Sequence, residues 1–136
     1  MRQSLIAVLS LVAAFCIQGR ATAETPSGIN ELKKAKVQTA RDALHALDEQ
    51  IKAGRQTASD DIVTIWSKRL LEAELALCER KADRLAAHER HLKYMKQYEN
   101  LVTEKYTTGS GSILSVAEAR YGRLEAELWL AEARTK

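Results

Sequence analysis

Cysteine, proline, glycine and aromatic residues are all scarce in this chain of 136 residues. It contains two cysteines, one proline and six glycines, and aromatic residues make up only 5% of it. With so few aromatic rings, any core must be built mainly from Leu, Ile and Ala. Because no alternating apolar and polar run and no β-branched cluster is present, the sequence predicts no β-strand. The expected fold is all-α, in a single domain.

The first 23 residues have the pattern of a secretory signal peptide. Arg2 supplies a positive charge, residues 5–17 form an apolar run, and residues 21–23 (Ala-Thr-Ala) form a cleavage site of small residues. An uncleaved membrane anchor is the alternative, but the run is well short of the ~20 residues that span a bilayer. We therefore expect an exported protein of the periplasm or cell envelope, with no transmembrane segment in the mature chain.

Once residues 1–23 are set aside, the chain is nearly neutral and keeps a single cysteine, Cys78. Removal of Arg2 and Arg20 leaves 19 basic residues against 18 acidic ones, with no block of like charge. This balance gives no reason to expect nucleic acid or an anionic membrane as a partner. A single thiol excludes an intrachain disulfide. We find no phosphate-binding loop, catalytic triad or cofactor motif, so we expect no enzymatic activity and no cofactor.

Apolar residues recur at helical spacing through most of the remaining chain. After a flexible arm at residues 24–28, they predict a helical domain over residues 29–136, with helices at about 29–53, 60–107 and 113–134. The middle helix has no proline or glycine, and it carries one apolar stripe along its length and two shorter apolar flanks. The buried face of the last helix is predicted to comprise Ile113, Ala117, Tyr121, Leu124, Leu128 and Ala131.

A glycine and a short polar run separate each pair of predicted helices. Gly54 and Gly109 are expected to end their helices, because glycine readily adopts the left-handed conformation at a helix C-terminus. Thr57 can accept a hydrogen bond from a free amide at the start of the second helix, and the charge of Asp61 suits the helix dipole there. Ser112 closes the second turn.

Turns this short make successive helices antiparallel. The expected architecture is an elongated antiparallel three-helix rod of coiled-coil-like hairpins with a long central helix. A compact bundle, with the central helix broken near Ala86 and Ala87, is the alternative; the unbroken helix is preferred because no helix-breaking residue is present. The central helix has more apolar surface than its two neighbours can cover, so we expect a homo-oligomer.

The two turn regions also share a residue pattern, in which a glycine turn leads into a helix rich in Leu, Glu and Ala. The sequence Leu-Glu-Ala-Glu-Leu occurs at residues 71–75 and again at residues 124–128. The turn residues that carry the pattern are Gly54, Thr57 and Asp61 in the first copy, and Tyr106, Gly109, Ser112 and Ser115 in the second.

These stretches resemble the helix-turn-helix tip of TolC-type outer-membrane efflux proteins, in which an aspartate usually stands at the position of Ser115. The resemblance implies an envelope protein whose tips dock a periplasmic adaptor. It does not imply a channel, because TolC-type subunits are several times longer and contribute strands to a transmembrane barrel. No such strand is predicted here.

His88 and His91 are candidate metal ligands that lie close together in the sequence. Their spacing of three residues places them on one side of a helix, where they can share a metal ion. A site needs at least one further ligand, and the neighbouring basic residues would repel a cation, so we expect no metal site. Two functions remain open. The first is an exported scaffold that acts through protein contacts with an unknown partner; the alternative is a periplasmic metal-responsive sensor or chaperone using His88 and His91.

Overall fold

The computed structural model describes residues 25–54 and 61–135, which form four helices and no strand. The helices are α1 (Pro26–Lys52), α2 (Ile62–Leu75), α3 (Lys81–Thr107) and α4 (Ile113–Thr135). The all-α prediction is confirmed. No helix within these ranges is long and apolar enough to cross a membrane. The predicted signal peptide and the turn residue Thr57 lie outside the described residues.

Helix α1 begins three residues earlier than the sequence predicted. Thr25 is its N-cap, and the Thr25 side chain accepts a hydrogen bond of 3.1 Å from the backbone N–H of Gly28. Pro26 follows in the first turn, where the missing N–H of proline costs no hydrogen bond. The predicted arm at residues 24–28 is therefore wrong from Pro26 onward, because capping and proline together start the helix there.

The predicted central helix at residues 60–107 is wrong, because residues 76–80 break it into α2 and α3. The alternative break near Ala86 and Ala87 is also wrong, since both residues lie inside α3. The chain reverses at residues 76–80 so that the apolar faces of α2 and α3 can cover each other. Val63 of α2 and Met95 of α3 are completely buried as a result. Packing thus outweighs the helical propensity of the sequence at this point.

Contacts between the helices define a four-helix bundle rather than the predicted three-helix rod. Successive helices run antiparallel, α2 and α3 lie side by side, and α1 and α4 pack on this central pair. The core is mainly aliphatic, as expected from the composition. Polar pairs that join the helices are Ser67 with His91 (α2 to α3), Tyr94 with Asp48 (α3 to α1), Lys68 with Glu125 (α2 to α4) and Arg123 with Glu99 (α4 to α3).

The predicted buried face of α4 is wrong, because that face points to solvent. Large residues on it are half exposed or more, with Tyr121 at 63% and Leu128 at 56%. Small residues face the bundle instead. A Cβ atom on Gly122 would lie 2.7 Å from Met95 Cε and 3.1 Å from Thr64 Cγ2, so even a methyl group there would require Met95 and Thr64 to shift, and a larger side chain would push α4 away from α2 and α3. The buried residues of α4 are Val116, Ala119, Gly122, Ala126 and Leu130.

Candidate functional site

A long apolar feature on the surface of the described residues is one side of α4, which we call the outer row. Its members recur every three or four residues, so they form a single stripe along the helix. A stripe of this length is about 27 Å long at 1.5 Å per residue. Soluble proteins seldom leave so continuous an apolar surface in water unless something binds to it. The outer row consists of Ile113, Ala117, Tyr121, Leu124, Leu128 and Ala131, all of them exposed.

One flank of the outer row contains three glutamates and the exposed Leu114. Glu118, Glu125 and Glu132 recur every seven residues, which places them one above another beside the row. Glu125 forms an ion pair with Lys68 of α2, with 2.8 Å between Lys68 Nζ and Glu125 Oε2. The carboxylates of Glu118 and Glu132 form no ion pair with any residue of the two described ranges. This flank therefore presents the carboxylates of Glu118 and Glu132 next to apolar side chains, although Lys81 and Arg84 line the same groove as Glu132.

The opposite flank of the outer row is neutralised within the molecule. Arg120 and Arg123 both bind the carboxylate of Glu99 on α3, and this hydrogen bonding raises the pKa of Arg123. Further along, Arg134 of α4 pairs with Glu89 of α3 at 3.3 Å. These pairs align α4 on α3 and leave few charges free on this side. The two flanks thus differ, and the acidic one is the more suited to an external partner.

The interior between α2, α3 and α4 contains a polar centre built around His91. Its Nδ1 lies 2.8 Å from the Ser67 hydroxyl, and its ring stacks on Trp129 with 5.7 Å between ring centroids. Burial, reinforced by the nearby positive charges of His88 and Lys68, lowers the pKa of His91 to about 4. The imidazole is therefore neutral at physiological pH, and its hydrogen bond with Ser67 holds α2 against α3.

A cleft of about 250 Å³ lies between α1, α2 and α3, beside a buried carboxylate. Arg41 and Arg90 each donate a hydrogen bond of 2.8 Å to Glu74, one to each of its oxygens. Burial alone would raise the pKa of Glu74, but the bonds from Arg90 and Arg41 outweigh it and keep the pKa below its ordinary value. Both arginines are thus occupied, so the cleft offers a ligand apolar walls and little free charge.

The two candidate metal ligands occupy different environments. His91 already shares its Nδ1 with Ser67. The Nδ1 atom of His88 is buried without a hydrogen-bond partner among the described residues, and burial lowers its pKa. Lys81 and Arg84 line the groove next to it. Within the described ranges no group of three His, Cys, Asp or Glu residues could hold a metal ion.

The turn residues lie where the sequence placed them, as far as the structure describes them. Gly54 and Gly109 end their helices with φ values of 70° and 77°. The Ser112 hydroxyl accepts a hydrogen bond of 3.0 Å from the backbone N–H of Ser115, which caps α4. Asp61 occupies the N-cap position of α2, although its side chain makes no capping hydrogen bond to the first turn of that helix.

Both glycine turns lie at the same end of the bundle. The ammonium of Lys105, near the end of α3, reaches the carbonyl oxygen of Ile51, near the end of α1, at 3.5 Å. The outer row of α4 starts at this end and runs away from it. The turn at residues 76–80 lies at the opposite end.

No protein-family model, curated protein or solved structure matches the chain. The resemblance to TolC-type tips therefore stays a prediction that rests on the turn residues and the helices rich in Leu, Glu and Ala that follow them. Sequence reasoning missed the outer row as a surface because it assigned the large side chains of α4 to the core. The signal that could have corrected this is the row of small residues Ala119, Gly122 and Ala126, which allows close helix packing.

Proposed function

We propose that this protein is an exported scaffold of the periplasm or cell envelope that docks a helix of a protein partner on the outer row of α4. One observation carries the proposal: the outer row is an apolar stripe as long as a helix-docking surface, and no described helix covers it. Full burial of an exposed large apolar side chain contributes roughly 1.5–3 kcal/mol, and Tyr121, Leu124 and Leu128, which are half exposed or more, would each contribute part of this when a helix docks.

The charges beside the row specify the kind of helix that fits. A partner with apolar residues at three- and four-residue spacing would fill the row, and Lys or Arg residues along one of its edges would face Glu118 and Glu132. Docking on α4 also agrees with the implication of the TolC-type resemblance, since the row begins at the end where both glycine turns lie. We expect the partner to be an envelope adaptor with such a helix.

Photo-cross-linking in intact cells tests the proposal. A chain with Leu124→benzoylphenylalanine should yield a specific adduct, and adding Leu128→Glu should abolish it, because a carboxylate cannot be buried in an apolar contact without a large penalty. Leu32→Glu is the matched control, since Leu32 is also 56% exposed but lies on α1. An absent adduct, or one that survives Leu128→Glu, would contradict docking on the outer row.

The metal-responsive sensor or chaperone is the second candidate, and the unpartnered Nδ1 atom of His88 is the observation that favours it. His88 and His91 lie one turn apart on α3, and because Nδ1 of His91 is bonded to Ser67, a metal ion would have to bind the other ring nitrogen of His91 or displace that bond. Titration of the chain with zinc or copper in a calorimeter decides between the candidates. Micromolar binding that is lost in His88→Ala would favour the sensor.

A further inference from the structure

The turn between α2 and α3 contains none of the residues that normally end a helix. Residues 76–80 read Ala-Leu-Cys-Glu-Arg, and Ala, Leu, Glu and Arg are among the best helix formers. Ala76 still has helical angles, with φ −66° and ψ −16°. Arg80 is the N-cap of α3, and its side chain makes no capping hydrogen bond to the first turn of that helix. The local sequence therefore favours a straight helix through this segment.

The buried pair between α2 and α3 is centred on Glu79, and the partly buried pair of Glu74 with Arg90 is centred three residues further on. Ser67 precedes Glu79 by 12 residues and His91 follows it by 12 residues, and their side chains are bonded at 2.8 Å. Thr64 and Met95, which both meet the Cβ position of Gly122, are also nearly equidistant from Glu79. A straight helix over residues 62–107 could thus pair antiparallel with the same helix of a second copy. Every contact between α2 and α3 would then form between copies.

A straight helix would also cover apolar residues that the closed bundle leaves in water. Arg41 of α1 lies opposite Glu74 of α2, which ends one residue later, so the N-terminal turns of α1 extend past the end of its neighbour. Ile29 and Leu32 on that extension are 45% and 56% exposed. If α2 continued straight, residues 78–86 would run antiparallel beside this part of α1 and pack against both side chains.

We propose that two copies of this chain exchange their α3–α4 hairpins by straightening residues 76–80, which gives a two-fold symmetric dimer centred on Glu79. Each hairpin keeps its own internal packing, and the polar pairs between hairpins form between the two copies. The closed monomer and the dimer then share almost all contacts. The dimer adds the helical turn at residues 76–80 and the packing of residues 78–86 against Ile29 and Leu32.

A pair of substitutions at Glu79 isolates the contribution of the straight helix. Glu79→Ala and Glu79→Gly both remove the carboxylate. In a helix interior, however, glycine lowers the equilibrium constant for helix formation about fivefold relative to alanine. The dimer has two such segments, so its dissociation constant should be roughly 30-fold higher for Glu79→Gly than for Glu79→Ala. Sedimentation equilibrium on the full chain measures both constants, and circular dichroism checks that both variants are folded.

Cross-linking through Cys78 locates the dimer axis. In the full chain with Cys16→Ser, Cys78 is the single thiol and lies one residue from the proposed axis, so mild oxidation should link two copies. Glu79→Gly should reduce this link, and Leu128→Glu on the outer row should not. A wild-type chain that is monomeric at tens of micromolar would overturn the proposal. A dimer that is equally strong in both Glu79 variants, or that Leu128→Glu dissociates, would overturn it too.

Discussion

The two turns at either end of α3 are made in different ways. At the α3–α4 turn, Gly109 adopts a φ of 77°, the N–H of Ser110 donates to the carbonyl of Lys105 at 2.9 Å, and Ser112 caps the next helix. At the α2–α3 turn, residues 76–80 have no glycine and Arg80 makes no side-chain cap to α3. The first turn is specified by its own residues. The second exists because the helices on either side pack together.

This difference can be tested by weakening the packing. Gly122→Leu should destabilise the bundle by about 3 kcal/mol, because a side chain there would clash with Met95 and Thr64 and push α4 off the central pair. Urea denaturation followed by circular dichroism measures the loss. Ala117→Leu is the control on the exposed side of the same helix and should change the stability by at most about 0.5 kcal/mol. Equal effects of the two substitutions would contradict the packing described for α4.

Lowering the pH should weaken the packing around His91, which bonds to Ser67 of α2 and stacks on Trp129 of α4. The pKa of His91 is about 4 in the folded chain against 6.5 for an unperturbed histidine, so the unfolded chain binds the extra proton first as the pH falls. Stability should therefore be complete above pH 6.5 and fall by about 2 kcal/mol between pH 7 and pH 5. The lowered pKa of Glu74 acts below this window, because its contribution is lost only as that carboxyl is protonated.

Thermal unfolding at a series of pH values, with His91→Gln as the comparison, separates the contribution of His91 protonation to the pH dependence of stability from that of other titratable groups. The variant is less stable overall, but its stability should depend much less on pH between 7 and 5. A wild-type and variant chain with the same pH dependence would show that His91 does not carry it.

The two glycine turns depend on local backbone conformation rather than on packing between helices. Gly109→Ala should destabilise by about 1 kcal/mol, since a Cβ is strained at positive φ although the space around it is empty. Gly54→Ala should behave in the same way, because its φ is also positive. Chemical denaturation of both variants measures the loss, and unchanged stability in both would contradict the conformation described for the glycine turns.

The smallest effect is expected for an ion pair at the start of α3. Arg80 donates two hydrogen bonds to Asp83, but both side chains are exposed to solvent. Exposed pairs of this kind contribute little to stability. Arg80→Ala should leave the melting temperature unchanged within error. A clear decrease would show that this pair, rather than packing, holds the turn.

The sequence predicted those parts of the fold that depend on local signals. Gly54 and Gly109 end their helices as expected, and α1 and α4 lie close to their predicted ranges. The break at residues 76–80 could not be predicted, because no local residue causes it. The face of α4 was assigned wrongly for a related reason. Leu124 and Leu128 have large side chains, but only Gly122 and its small neighbours allow α4 to approach both α2 and α3.

The repeated sequence Leu-Glu-Ala-Glu-Leu also shows that the local sequence alone does not determine which residues are buried. In α2 its second glutamate is Glu74, which is buried between Arg41 and Arg90. In α4 the equivalent Glu127 pairs with Arg123 on the surface, and the flanking leucines point to solvent. Identical residues therefore take different roles, and the outer row arises from the position of α4 in the bundle rather than from its sequence alone.

Native-state hydrogen exchange tests most directly whether packing holds the α2–α3 turn. The amides of Leu77 and Cys78 donate to Glu74 and Leu75, and those of Gly109 and Ser110 donate to Tyr106 and Lys105. Exchange should be compared in the wild type and in Gly122→Leu under conditions where both are folded. We expect Gly122→Leu to alter protection strongly at Leu77 and Cys78 and to leave Gly109 and Ser110 nearly unchanged. Equal changes at both turns, or none at Leu77 and Cys78, would contradict this account.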